Sequence, residues 1–314
     1  DVIGPRFGGL RRRSDRALFL SKWLGGELFY RSGLDADDLR TKVLEGCRSA
    51  GDFQRILMES IAAEQGASRW AECTPTNAFY MDAIKTAFPD ARFVHMIRDG
   101  RDVALSLAQQ NWIRPYPWDR NRHHVPAAVY WEWTVRAGKA GGKAAGVDYL
   151  EVRFEDLVRD TAKALARIGE FIDHPKDYDR VQRCAIGSFA RPNTSFDMGP
   201  RGPTFNPVER WRSSSADMVR ALEALVGRTL QELGYELATD PTKLALPAVD
   251  RCNRVLYQLG FSGRMWLKSR TPLGRWYVDT SILEGGWGGD GEDKTLRPGQ
   301  HKEYIRSLVR GVLA

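Results

Sequence analysis

Arg98 and Ser106 are the residues whose types and spacing first suggest chemistry. Phe93 to Ile97 is a short apolar run rich in strand formers, Asp99-Gly100 is turn chemistry, and Val103, Ala104 and Leu107 recur at helical spacing behind it. Arg98 would then end a buried parallel strand, with Ser106 eight residues on, about two turns into the following helix. In open parallel sheets ligands bind beyond the carboxyl ends of the strands, so both side chains can face one crevice. A permanent cation and a hydroxyl donor suit a phosphate. The plain alternative is an Arg98 that caps the strand, with Arg101 and Asp102 in a solvated first helical turn. Glu72 is a second candidate: a short strand ending there and stopped by Pro75 would aim its carboxylate at the same crevice.

The elements that must position these residues follow in order. Asn77 to Ala87 reads as a crossover helix into the strand at Phe93, and Pro126 to Ala145 as a long helix with Val129, Trp131, Trp133 and Val135 among its apolar positions. Asp148 to Phe154 alternates as a strand, and Thr161 to Ile172 and Asp217 to Leu233 read as amphipathic helices. Upstream, Asp35-Ala36-Asp37-Asp38 has the composition of a helix start, with Leu39, Val43 and Leu44 behind it, and Phe53 to Ala62 gives another helix. Ala17 to Leu24 should pack on a core. Arg11 to Arg16 reads as a solvated charge run. Asn111 to His124, with two prolines, three aromatic residues and three arginines, reads as a long binding loop, and its His123-His124 pair as solvated.

Three blocks beside Arg98 carry a resemblance. Arg98-Asp99-Gly100-Arg101-Asp102-Val103-Ala104 with Ser106, Trp70-Ala71-Glu72-Cys73-Thr74-Pro75-Thr76-Asn77, Tyr149-Leu150-Glu151-Val152-Arg153-Phe154-Glu155-Asp156-Leu157 and Val208-Glu209-Arg210-Trp211-Arg212 stand in order. They resemble the 3′-phosphate segment, the W-x-E-K-T-P-x-N segment, the Y-L-x-V-R-Y-E-D-L strand and the V-G-R-W-R segment of sulfotransferases that use 3′-phosphoadenosine 5′-phosphosulfate (PAPS). Cys73 replaces the Lys and Glu209 the Gly of those patterns. The resemblance covers roughly Asp1 to Glu236. It implies a three-layer α/β fold, a parallel sheet flanked by helices of the P-loop nucleotide-hydrolase type, N-terminally incomplete: the family's P-R-S-G-T-T-like phosphosulfate loop is not found.

The implied reaction moves a sulfuryl group from PAPS to a hydroxyl or amine acceptor. Arg98, Ser106, Arg210, Trp211 and Arg201 are the implied nucleotide-binding residues, with Arg212 behind Arg210. Glu72 is the implied general base, matching by position the His of the phenol and steroid enzymes; Glu155 and Asp156 are expected to hold the strand-to-helix corner. Cys73 is expected to be a buried filler. An inactive nucleotide-binding or interaction module of the same descent is the alternative.

Composition limits the classes. A formal charge of +7 favours an anionic partner. The four cysteines, Cys47, Cys73, Cys184 and Cys252, show no paired spacing, so neither a zinc site nor a disulfide framework is indicated, and no metal is expected. Arginines and aromatics do not repeat as a stacking platform for nucleic acid. No apolar run is long enough for a membrane span. Cytoplasmic placement is the expectation. Residues 1–240 are read as the sulfotransferase-like domain and 241–314 as an extension serving as lid, dimerisation element (a homodimer) or surface contact, with Trp266 among basic turns.

Overall fold

The computed structural model describes residues 7–174 and 207–271, which divide into two compact units. The first contains residues 7–74 and the second 75–174 and 207–262; residues 263–271 cluster with the first.

The first unit is helical: α1 (Arg13–Trp23), α2 (Glu27–Ser32), α3 (Ala36–Gly46) and α4 (Ala50–Glu64). Asp35 starts α3 as its composition foretold, its carboxylate accepting the Asp37 and Asp38 N–H groups. Phe19, Leu20 and Trp23 of α1 pack with Leu39, Val43 and Phe53. The Arg11–Arg16 run is not wholly solvated. Arg16 is buried and donates to the carbonyls of Leu10, Arg11 and Leu44, so this cation satisfies backbone acceptors at helix ends. The strand expected to end at Glu72 does not form. Residues 70–74 have no regular structure, and no described strand pairs with them. Cys73 is exposed rather than a buried filler.

The second unit is helix-rich α/β. A 3₁₀ turn (Pro75–Phe79) and α5 (Met81–Ala87) lead into β1 (Phe93–Ile97); α6 (Gly100–Gln109) and α7 (His124–Ala145) follow, then β2 (Tyr149–Arg153), α8 (Phe154–Arg159), α9 (Thr161–Phe171), α10 (Ala216–Glu232) and α11 (Ala248–Arg270). β1 and β2 pair in parallel, with Phe93 opposite Tyr149 and Ile97 opposite Arg153. The described sheet has these two strands. β1 is not buried on both faces as its apolar run suggested: Val94 and Met96 are exposed, while Ile97 is buried. Residues 241–270 are not basic turns throughout, since α11 carries Trp266 within a helix.

α7 is the hub. It packs on α6 and α10, and Val125, Val129, Trp131 and Val135 join Leu222, Leu225, Val226 and Leu230 of α10 in one core. Close approaches around α7 and the strand ends need glycine. A Cβ on Gly100 would fall 2.6 Å from the Trp131 ring, and one on Gly138 would fall 2.5 Å from the His95 imidazole. Gly100 therefore lets Trp131 reach the strand end, where its indole N–H donates to the Arg98 carbonyl at 3.1 Å.

Candidate functional site

The turn after β1 is built around buried charges. Asp99 caps α6, accepting the Arg101 N–H at 2.9 Å, while its own N–H donates to Glu155 at 2.8 Å. The other oxygen of Glu155 accepts the Tyr235 hydroxyl, so Glu155 holds the strand-to-helix corner. Arg101 is not part of a solvated first turn; it is 2% exposed. Its guanidinium donates to Asp99 at 2.7 and 3.0 Å and to Glu223 at 2.6 Å, and lies 3.7 Å from the centre of the Trp211 ring. Burial opposes the Glu223 charge, but N–H bonds from Ala238 and Thr239 and the pairing with Arg101 outweigh it and hold the carboxyl below its usual range. Arg101 is thus a structural pin joining α6, α10 and the Trp211 turn.

Arg98 differs. Its guanidinium lies over the Phe154 ring, donates to the Pro207 carbonyl at 2.7 Å and stands 3.5 Å from the Asp102 carboxylate, yet remains 16% exposed. Asp102 has a fully buried side chain and accepts the Trp211 N–H at 2.8 Å. Burial raises the Asp102 pKa, and it prevails over the Trp211 N–H and the charges of Arg98 and Arg210 that pull the other way. Ser106 lies one turn beyond Asp102 on the same face of α6, and its hydroxyl has no hydrogen-bond partner among the described residues. Arg98 thus pairs with Asp102, Arg210 lies near enough for its charge to act on the same carboxylate, which burial discourages from ionising, and Ser106 stands one helical turn further along α6. That arrangement suits a doubly charged oxyanion.

The 207–213 turn owes its shape to Glu209. This residue sits in the left-handed region at φ 60°, where the related motif has Gly, and the turn passes into a 3₁₀ segment (Arg210–Ser213). Its carboxylate pairs with Arg212 at 2.9 Å and Arg159 at 3.5 Å, and the Arg212 bond is the main reason its pKa is lowered.

Of the residues singled out from sequence, Arg98, Ser106, Arg210 and Trp211 all lie in the second unit, where Arg98, the Arg210 charge and the Trp211 N–H meet Asp102 and Ser106 follows one turn along α6. Trp211 does so as a buried ring under Arg101 rather than as an open stacking surface. Glu72 is exposed in the first unit, where its carboxylate accepts the Thr74 hydroxyl. Arg201 lies outside the described residues. Sequence reading missed Asp102 and Glu223 as organisers; a Glu between Leu222 and Leu225 on the apolar face of a helix was the available signal. The expected loop at 111–124 is pinned down instead of open. Tyr257 donates to Asp119, accepts the Tyr116 N–H and stacks on the Tyr116 ring at 4.6 Å, and α7 begins at His124. Among the described residues no group of His, Cys, Asp or Glu is arranged for a metal, and no helix is long and apolar enough to cross a membrane.

Comparison with known proteins gives two findings. The model of the sulfotransferase family matches residues 10–179. A Caenorhabditis elegans protein named "Putative protein-tyrosine sulfotransferase" is 27% identical over 109 residues, 35% of this chain and 41% of that protein. The chain thus spans about two fifths of the length of the curated relative it matches.

Proposed function

Because the chain belongs to the sulfotransferase family, we propose that it transfers a sulfuryl group from PAPS to a hydroxyl or amine acceptor, with Arg98, Ser106 and Arg210 holding the 3′-phosphate. The observation that carries this reading is the meeting of two segments 109 residues apart, the Trp211 N–H on Asp102, which brings Arg210 to the turn that carries Arg98. Fixed guanidinium groups suit a phosphate because they stay charged and keep their geometry. Ser106 adds a neutral donor.

In the reaction the acceptor oxygen or nitrogen bonds to sulfur in line with the departing phosphate oxygen. The sulfur–oxygen bond to the 5′-phosphate breaks, and adenosine 3′,5′-bisphosphate leaves. The acceptor's proton must go to a base, and Glu72 is the residue we assign to it, on its match to the family segment. Trp211 and Arg101 position the Arg210 turn; Arg201 is a further donor on the strength of the motif alone. The three-layer P-loop-type sheet and the division at residue 240 belong to the same proposal. The name of the nematode relative makes a peptide tyrosine the first acceptor to try.

Calorimetric titration of the full chain with adenosine 3′,5′-bisphosphate and with 5′-AMP tests the site directly. The bisphosphate should bind at least about tenfold more tightly, the least that one charge-assisted phosphate contact contributes. Equal affinity for the two would remove Arg98, Ser106 and Arg210 from the 3′-phosphate.

A further inference from the structure

α11 has two apolar faces. Asn253 and Tyr257 are buried in the second unit, with Tyr257 in its core, but a second stripe points away from them. Val249, Cys252, Leu256, Leu259, Gly263 and Trp266 follow at steps of three, four, three, four and three residues. Alternating steps of three and four make a seven-residue repeat of period 3.5, that of a helix that pairs lengthwise with another rather than one that lies on a globular core. Val249 and Leu259 are each 64% exposed, Trp266 59%, and Leu256 and Cys252 are exposed as well. Trp118, 64% exposed, flanks the stripe through its indole N–H bond to Asn253.

We propose that this face of α11 pairs antiparallel with the same face of a second copy of the chain. The stripe is self-complementary in volume. Centred between Leu256 and Leu259, an antiparallel pair sets Trp266 of one copy against Val249 of the other and Gly263 against Cys252, large beside smaller in each outer layer. Its exposed borders, Ala248, Val255 and Ser262, are uncharged, which permits approach along that edge without like-charge repulsion across the two-fold axis. Lipid-surface helices instead carry Lys and Arg along the edge of the apolar face. Taking about 150 Å² for each of Trp118 and Trp266 and about 80 Å² for each of Val249, Val255, Leu256 and Leu259, the face offers on the order of 600 Å² of apolar area per copy. A standard interface buries about 800 Å² per partner in all, so the flanking polar atoms need supply only the remainder.

Maleimide labelling of the full wild-type chain tests this without any substitution, because Cys252 lies on the stripe and the exposed Cys73 lies in the first unit. Between about 0.1 and 100 µM protein, Cys252 should slow at least about tenfold while Cys73 keeps its rate, as mass action requires of a buried dimer face. Unchanged Cys252 labelling across that range, or a monomer mass by light scattering at the upper concentration, overturns the proposal. The double variant Leu256→Glu, Leu259→Glu should be monomeric with wild-type helicity; a folded variant that stays dimeric also overturns it. Binding of a monomeric chain to phosphatidylserine vesicles, abolished by the same pair, would assign the face to a lipid surface and refute the dimer. None of these readouts depends on the nucleotide site.

Discussion

Replacing Arg101 and Arg98 by Met should separate two arginines that stand three residues apart in one motif. Arg101→Met removes the guanidinium that joins Asp99 to Glu223 and leaves both carboxylates buried, each with its backbone N–H bonds but without its cation. Breaking a buried pair from one side costs about 3–5 kcal/mol; the N–H bonds that remain place the expectation near 3. With an m-value near 2 kcal/mol/M, the urea midpoint should fall by about 1.5 M. Arg98 is partly exposed, and its ion-pair distance is a longer 3.5 Å, so Arg98→Met should cost less stability. Its loss should appear in binding, as roughly a 10- to 150-fold weaker affinity for adenosine 3′,5′-bisphosphate, equivalent to about 1.5–3 kcal/mol. Urea unfolding and calorimetry on both variants, at a temperature where both are folded, decide the matter. The reasoning is refuted if Arg101→Met is as stable as wild type and loses the bisphosphate while Arg98→Met retains it.

Two further outcomes follow from local geometry. At position 209 the left-handed backbone should make Glu209→Ala about 1 kcal/mol less stable than Glu209→Gly in urea melts, since both lose the same exposed ion pairs and differ chiefly in the cost of that conformation; equal midpoints would dismiss the strain. Burial holds the imidazoles of His95 and His124 below their ordinary value of 6.5, so the unfolded chain binds more protons. Their contribution to stability is full above pH 6.5 and is lost as pH falls toward their folded values. Between pH 7 and 5 stability should therefore decline, and His95→Gln, which keeps a polar partner for Tyr149, should decline less steeply. A parallel slope would exclude His95 as a source.

How far the sequence could be read depended on what kind of force fixed each element. Helix starts were plain where a side chain caps its own backbone, as at Asp35, because capping is local. β2 and the helices α6, α9 and α10 were plain because one apolar face repeats along each. α11 escaped because it is apolar on two sides, and two stripes on one helix cancel the contrast that reveals either. The proposed anion site divides in the same way. Arg98 and Ser106 were legible from their places on a strand end and a helix, but the roles of Arg101, Asp102 and Glu223 depend on partners more than a hundred residues away. A string of alternating charges looks solvated until those partners are known. The physical cost of that string suggests why it is worth keeping: buried charges add little net stability, yet each must meet its partner for the core to close. Closing this core around Arg101 sets the Arg210 turn against α6, so the residues least visible in the sequence fix the position of those most visible in it.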